Sequence, residues 1–257
     1  TEVGERSGPA LEAVLGAGRP GKPVLFSGHY DVVPLPGEHP FRIDEEGRAR
    51  GLGCLDMKGG IVLSIWIARA LTAAGWAERP LRFLFVGDEE NGHQGSRAKE
   101  FLAERAGGAA CAFNLETGLV SNAICTGRKG TGQAEITVQG VGGHGSRPDK
   151  AVDPVKPACD ILLKIASIPA QRHNPFDTCV VSPCQIVAGT KNNIIPETAF
   201  IAGNIRFFKY GDGDKIVETI RTIAEHTARA YGAEATVTKQ VMSPLPVIND
   251  PACAARG

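Results

Sequence analysis

The amino-acid sequence predicts an α/β protein built on a parallel or mixed sheet, into which a βαββαβ module is inserted. Three observations predict this. Apolar runs at 23–27, 81–86 and 109–114 lack period-two alternation, as strands buried on both faces do. Helix-length segments separate these runs, which is the alternation of an α/β layer. After "TGRKGTG" the texture changes, beginning with "QAEITVQG", which alternates as a half-exposed strand would.

Taken in order, the first run continues as "VLFSGHYDVVP" and leaves the core at Gly28. A helix is expected from about Met57 to Gly75; its segment "GGIVLSIWIARALTAAG" is interrupted by Arg69 and too short for a bilayer. The second run precedes "GSRAKEFLAERAG", a helix stopping near a glycine, and the third run follows. Beyond 126, residues 133–140 alternate and a helix is expected at about 153–167. Strands near 179–188 and 198–207, a helix at 213–231 and a strand at 233–240 complete the series. That order is the split βαβ, or ferredoxin-like, module. The expected domains are therefore 1–126, with 241–257 as the start of its returning part, and 127–240.

Composition narrows the function classes. Lys+Arg and Asp+Glu both number 28, so there is no basic excess of the kind nucleic-acid binding requires. The N-terminal residues show no charged-then-apolar signal pattern. Seven cysteines without a CxxC pair indicate neither a disulfide framework nor a cysteine zinc site, and a cytoplasmic setting is expected. No nucleic-acid or membrane partner is expected.

The strand ends carry the chemistry. Ligands of open α/β sheets sit beyond the carboxyl ends of strands. Here those ends read "SGHYD" (His29, Asp31), "VGDEENG" (Glu89, Glu90) and "FNLETG" (Glu116), and Asp56 lies in the glycine-rich turn "GLGCLDMKGG". Singly, each is ordinary: exposed acidic loop residues are mostly solvated, and a lone histidine after a strand is more often hydrogen-bonded than a ligand. Together, several carboxylates around one imidazole repel one another unless a cation sits among them. Nitrogen and oxygen donors without thiolates suit zinc, with manganese or cobalt as alternatives. His29 and Asp31, two apart, face the same way in extended backbone, so Asp31 can hold the His29 tautomer. Glu89 and Glu90 diverge, leaving one free for proton transfer.

The tracts "SGHYDVVP", "GLGCLDMKGG", "VGDEENGHQGS", "NLETG", "GVGGHGSRPDKAVDP" and "VAGTKNNIIPETAFIAGNIRFF" resemble, in order and spacing, the di-zinc peptidases and deacylases. That family includes glutamate carboxypeptidase, acetylornithine deacetylase, succinyl-diaminopimelate desuccinylase and aminoacylase. The resemblance implies a zinc-peptidase catalytic domain with a lid that also forms a homodimer interface. It implies two Zn2+ ions: His29 on one, Asp56 bridging, Glu90 on the other and Glu116 beside His29. Glu89 becomes the general base, acting on a bridging water, and Asp31 orients His29. His144 of a neighbouring subunit stabilises the oxyanion, while Asn193 and Arg206 hold substrate carbonyl and carboxylate groups.

His39, His93, His173 and His226 match no ligand position and read as structural or surface residues. The family's third-strand glutamate is more often followed by proline than by the threonine of "ETG", and its lid histidine is usually flanked by residues other than the glycines of "GHG". The family also places a further histidine ligand well after the lid, so the resemblance implies a chain shortened at both ends, with an incomplete second metal site. The expected activity is hydrolysis of an amide bond in a small N-acyl amino acid or short peptide, carboxypeptidase-like. A deacetylase or desuccinylase is the alternative within the class, and an inactive or binding-only homologue the alternative outside it. Nucleotide binding is disfavoured, because "GHYDVVP" offers no GxGxxG.

Overall fold

The computed structural model describes residues 8–94, 96–118, 121, 123–243 and 245–256. Residues 1–7, which open the expected first domain and hold the start of the N-terminal reading, lie outside the described residues, as does Gly95 at the head of the second helical segment. The described chain divides into two compact units after Cys125.

The first unit runs β1 (Gly8–Leu15), β2 (Val24–His29), a short hairpin of β3 (Arg42–Ile43) and β4 (Ala49–Arg50), α1 (Lys58–Ala73), β5 (Leu81–Gly87), α2 (Ala98–Ala106) and β6 (Cys111–Asn114). Its sheet has the order β1-β5-β2-β6. Strand β2 is parallel to both neighbours, and Val24 stands opposite Leu81 on one side and Cys111 on the other. Three strands therefore start level and release their chains at one rim. β1 joins antiparallel to β5, so the sheet is mixed.

Both faces of this sheet are covered, which is why its strands show no alternation in sequence. Leu25, Leu84 and Val86 pack with Ala98 and Phe101 of α2. Phe26 and Phe83 face the other way and pack with Ile67, Ala68 and Leu71 of α1. The Phe26 and Phe83 rings stack with centroids 5.2 Å apart. Full burial of each such side chain contributes about 1.5–3 kcal/mol. The sequence pattern starts the sheet at 23–27; the structure adds β1 ahead of it. This edge strand has little apolar signal, since most of its residues are exposed and Ala10 is its one buried residue.

Two glycines let loops approach α1. A Cβ on Gly60 would collide with the carbonyl of Leu115, and one on Gly28 would lie 2.7 Å from Met57 Cε. The chain carrying Glu116 thus lies directly against the start of α1. In the β3–β4 hairpin, Asp44 accepts from the Arg48 backbone nitrogen (2.8 Å) and from the Arg48 and Arg50 Nε atoms (2.9 and 3.0 Å).

The second unit begins with β7 (Gly127–Arg128), β8 (Gly130–Gln139) and β9 (Gly143–His144). After them come α3 (Val155–Ala166), α4 (Ile168–Arg172), β10 (Cys179–Ala188), β11 (Ile194–Ile195) and β12 (Thr198–Phe207). It ends with α5 (Asp212–Ala230), β13 (Glu234–Ser243), β14 (Val247–Ile248) and α6 (Pro251–Ala254). Its four-stranded sheet is ordered β10-β12-β8-β13 with every neighbour antiparallel, the arrangement of a split βαβ module.

The core of this unit follows the two periodicities. Ala134, Ile136 and Val138 alternate along β8, and Ile216, Val217, Ile220, Ala224 and Ala228 form one stripe on α5. Asp212 and Asp214 in the first turn of α5 and Arg229 in its last complement the helix dipole. The segment after 240, expected to begin a return to the first domain, pairs here within the second unit: Val247 and Ile248 stand opposite Arg128 and Gly127. The entry and exit of this unit are thereby tied together. Among the described residues, no helix is long and apolar enough to cross a membrane.

Candidate metal centre

The level ends of β2, β5 and β6 bring His29, the Glu89–Glu90 turn and Glu116 to one rim. His29 is the last residue of β2 and is 1% exposed. Its Nε2 lies 3.1 Å from Asp56 Oδ1 and 3.0 Å from Glu116 Oε1, with Glu89 Oε2 at 3.8 Å. His29, Asp56 and Glu90 each offer a donor atom within 4.8 Å of the others, a grouping that can hold a metal ion.

Asp31 stands on the other side of the imidazole, its Oδ1 3.2 Å from His29 Nδ1. The approach is not aligned for a hydrogen bond, and among the described residues neither buried atom has one. Asp31 Oδ2 accepts from the Glu90 backbone nitrogen at 3.0 Å. Glu116 is set by the side chain before it: Asn114 Oδ1 accepts from the Glu116 backbone nitrogen at 3.2 Å. Asn114 carries no signal in the sequence beyond being a polar residue at a strand end.

The charges strain against one another. Burial alone would lower the His29 pKa, but Glu116, Glu89 and Asp31, with the Asp56 hydrogen bond, outweigh it and hold the imidazole above its ordinary value. Desolvation pushes the Glu90 carboxyl up, and the Asp56 charge adds to it. Glu116 is also raised, first by burial; His29 opposes this, while Asp56 and Glu89 reinforce it. Protons are thus drawn into a space where carboxylates face one another, and a cation relieves the same repulsion.

The other expected site residues belong to the second unit. Pairing of β9 with β11 sets His144 opposite Ile194, and Gly145 donates its backbone N–H to the Asn193 carbonyl at 2.8 Å. His144 and Asn193 are therefore neighbours. His144 Nδ1 accepts from the Ser146 backbone nitrogen (3.2 Å) and lies 2.8 Å from Ser146 Oγ. A backbone N–H can only donate, so Nδ1 is the acceptor and the ring proton sits on Nε2. Arg206, on β12, turns its guanidinium to Asn204 Oδ1 and to the Ile205 carbonyl.

Residues 25–256 match the family model described as peptidase family M20/M25/M40. The chain belongs to that family. Among its M20 relatives is the succinyl-diaminopimelate desuccinylase of Phenylobacterium zucineum, 31% identical over 244 residues, covering 90% of this chain and 64% of that protein. The chain thus spans just under two thirds of that relative's length. A tripeptidase from Staphylococcus aureus shares the fold with a TM-score of 0.79 at 15% identity, covering 96% of this chain and 65% of that one. A dinuclear metal-binding M20 peptidase from Bacillus subtilis superposes with a TM-score of 0.68 at 20% identity, covering 96% and 67%.

The remaining histidines of this M20 chain lie apart from the cluster's donor set. His39 and His226 bond to the carbonyls of Pro36 and Thr222. His173 Nε2 lies 3.8 Å from Asp212 Oδ2. His93 pairs with Asp88 at 2.9 Å.

Proposed function

We propose that the protein hydrolyses an amide bond in a small N-acyl amino acid or a short peptide. It would use two divalent cations, zinc foremost, with cobalt or manganese as substitutes. The observation that carries this is the convergence of His29, Asp56 and Glu116 within hydrogen-bond distance, with Glu90 in the same donor group. The donor set fits such ions: one imidazole nitrogen, carboxylate oxygens and no thiolate. His29, Asp56, Glu90 and Glu116 would hold them. When bound, the ions supply Lewis acidity toward the scissile carbonyl.

The chain's own groups account for the proton and the orientation. Glu89 is half exposed and stands off from His29 at 3.8 Å. It takes a proton from water as the water oxygen bonds to the carbonyl carbon. It then returns that proton to the amine nitrogen as the C–N bond breaks. Asp31 acts on His29 through its charge, 3.2 Å from Nδ1. His144, with its proton on Nε2, is the oxyanion donor, reaching a neighbouring subunit's site as the family resemblance implies. Arg206 and Asn193 bind the substrate's carboxylate and carbonyl, Arg206 by exchanging its Asn204 contact for a two-point bond.

The deacylase reading has its own support in the 31% identity to a desuccinylase. The deciding experiment is a panel of N-acetyl and N-succinyl amino acids beside di- and tripeptides, assayed with added zinc or cobalt. Turnover of either group supports an amidohydrolase and separates the two readings. No turnover of any member, in a protein shown to bind metal, would favour a binding-only homologue.

The lid and homodimer assignment rests on the module and on β10, an edge strand whose Ile186 and Val187 are exposed. Sedimentation equilibrium should show a dimer, and a monomer at all concentrations would refute it.

A further inference from the structure

We infer that Asp88 and His93 form a clasp that positions the Glu89–Glu90 turn, with His93 as a positioning residue. The inference rests on the proposed roles of those two glutamates. Asp88, the first residue after β5, is 2% exposed. Its Oδ1 lies 2.9 Å from His93 Nδ1, and its carbonyl accepts from the His93 backbone nitrogen at 3.0 Å. A carboxylate can only accept, so Nδ1 carries the proton of that bond.

The two bonds between Asp88 and His93 close a loop that contains Glu89 and Glu90. Inside it, Gly92 donates to the Glu89 carbonyl at 2.8 Å, and Glu90 donates to Asp31 at 3.0 Å. The turn is held from within by Asp31 and across its ends by the clasp. Among the described residues, His93 is the single non-glycine with positive φ, at 59°. Glycine adopts that backbone at no steric cost, and histidine is among the few side chains found there with any frequency. The ring's reach to a buried carboxylate is the feature glycine does not reproduce. Without it, Asp88 keeps a buried charge whose other oxygen, Oδ2, already has no hydrogen-bond partner in the described structure.

The test uses the full chain with His93→Gly, which accepts the backbone angle but loses the ring, and His93→Asn, which restores a shorter amide donor. Amide hydrogen exchange is followed over residues 88–94, and cobalt(II) alone is titrated by visible absorption. The expected result for His93→Gly is about ten-fold faster exchange confined to the turn and about ten-fold weaker cobalt binding, the scale on which groups that orient metal ligands act. His93→Asn should recover part of both. Wild-type exchange and cobalt affinity in His93→Gly would overturn the clasp. So would a loss of protection spread evenly across the sheet, which marks a merely structural role. If the wild-type chain takes up no cobalt, the proposed function fails, while the exchange measurement still decides the clasp.

Discussion

Asp31 Oδ2 accepts a hydrogen bond from the Glu90 backbone nitrogen at 3.0 Å, across 59 positions of sequence. The same carboxylate faces His29 Nδ1 through its other oxygen, at 3.2 Å. One side chain therefore links the strand that ends in the imidazole to the turn that carries two carboxylates. Asp31→Ala removes both contacts, whereas Asp31→Asn keeps an oxygen for Glu90 but loses the charge beside His29. Metal affinity and kcat/KM should each fall about 10–100-fold in the alanine variant and less in the asparagine variant. Isothermal titration with zinc, alongside steady-state kinetics, measures the difference; equal effects would show that the Glu90 bond contributes nothing.

Glu89 is proposed for proton transfer on the family resemblance, and its Oε2 stands 3.8 Å from His29 Nε2. Glu89→Gln should lower kcat about 10²–10⁴-fold while leaving cobalt affinity near wild type. Retained turnover in that variant would remove Glu89 from the mechanism.

Gly60 lies against the Leu115 carbonyl, one residue before Glu116. Gly60→Ala should displace that backbone, destabilising the chain by about 1–3 kcal/mol as overpacking does. Urea denaturation reads the loss. Because Glu116 moves with Leu115, cobalt should also bind more weakly than in a control variant of matched stability.

The β3–β4 hairpin supplies a pH dependence away from the metal cluster. The Arg48 backbone N–H, with the Arg48 and Arg50 side chains, holds the Asp44 carboxyl below the usual carboxylate range against the opposing effect of burial. Its folded pKa is depressed, so its contribution is present above the unfolded value and is lost as pH falls through the folded one. Limited proteolysis between 44 and 50 should accelerate in acid, below the ordinary Asp range. Asp44→Asn should be cleaved rapidly at neutral pH and show little further change on acidification.

Much of the fold was legible because its signals are local. Apolar runs without alternation marked β2, β5 and β6, period-two alternation at 133–140 marked β8, and the element order of the second unit matched the split βαβ expectation. β1 escaped because an exposed edge strand buries almost nothing. The two-residue pairs β9–β11 and β7–β14 escaped because two residues have no period to detect. At the site, the residue types were visible in the motifs, but supports such as Asn114, Asp88 and Ser146 were not. Each acts through one or two hydrogen bonds, which leave no pattern in composition or spacing.

The sequence by itself determined the chemical inventory: one histidine and several carboxylates at strand ends, no thiolate among them, and a change of texture at the second unit. Only the tertiary structure decided which of them meet. Parallel pairing of β2 with β5 and β6 sets three strand ends level, and register of that kind is a long-range property that neighbouring residues do not encode. The same holds for His93, which reads from the sequence only as a structural or surface residue until the turn closes its ring onto a buried aspartate.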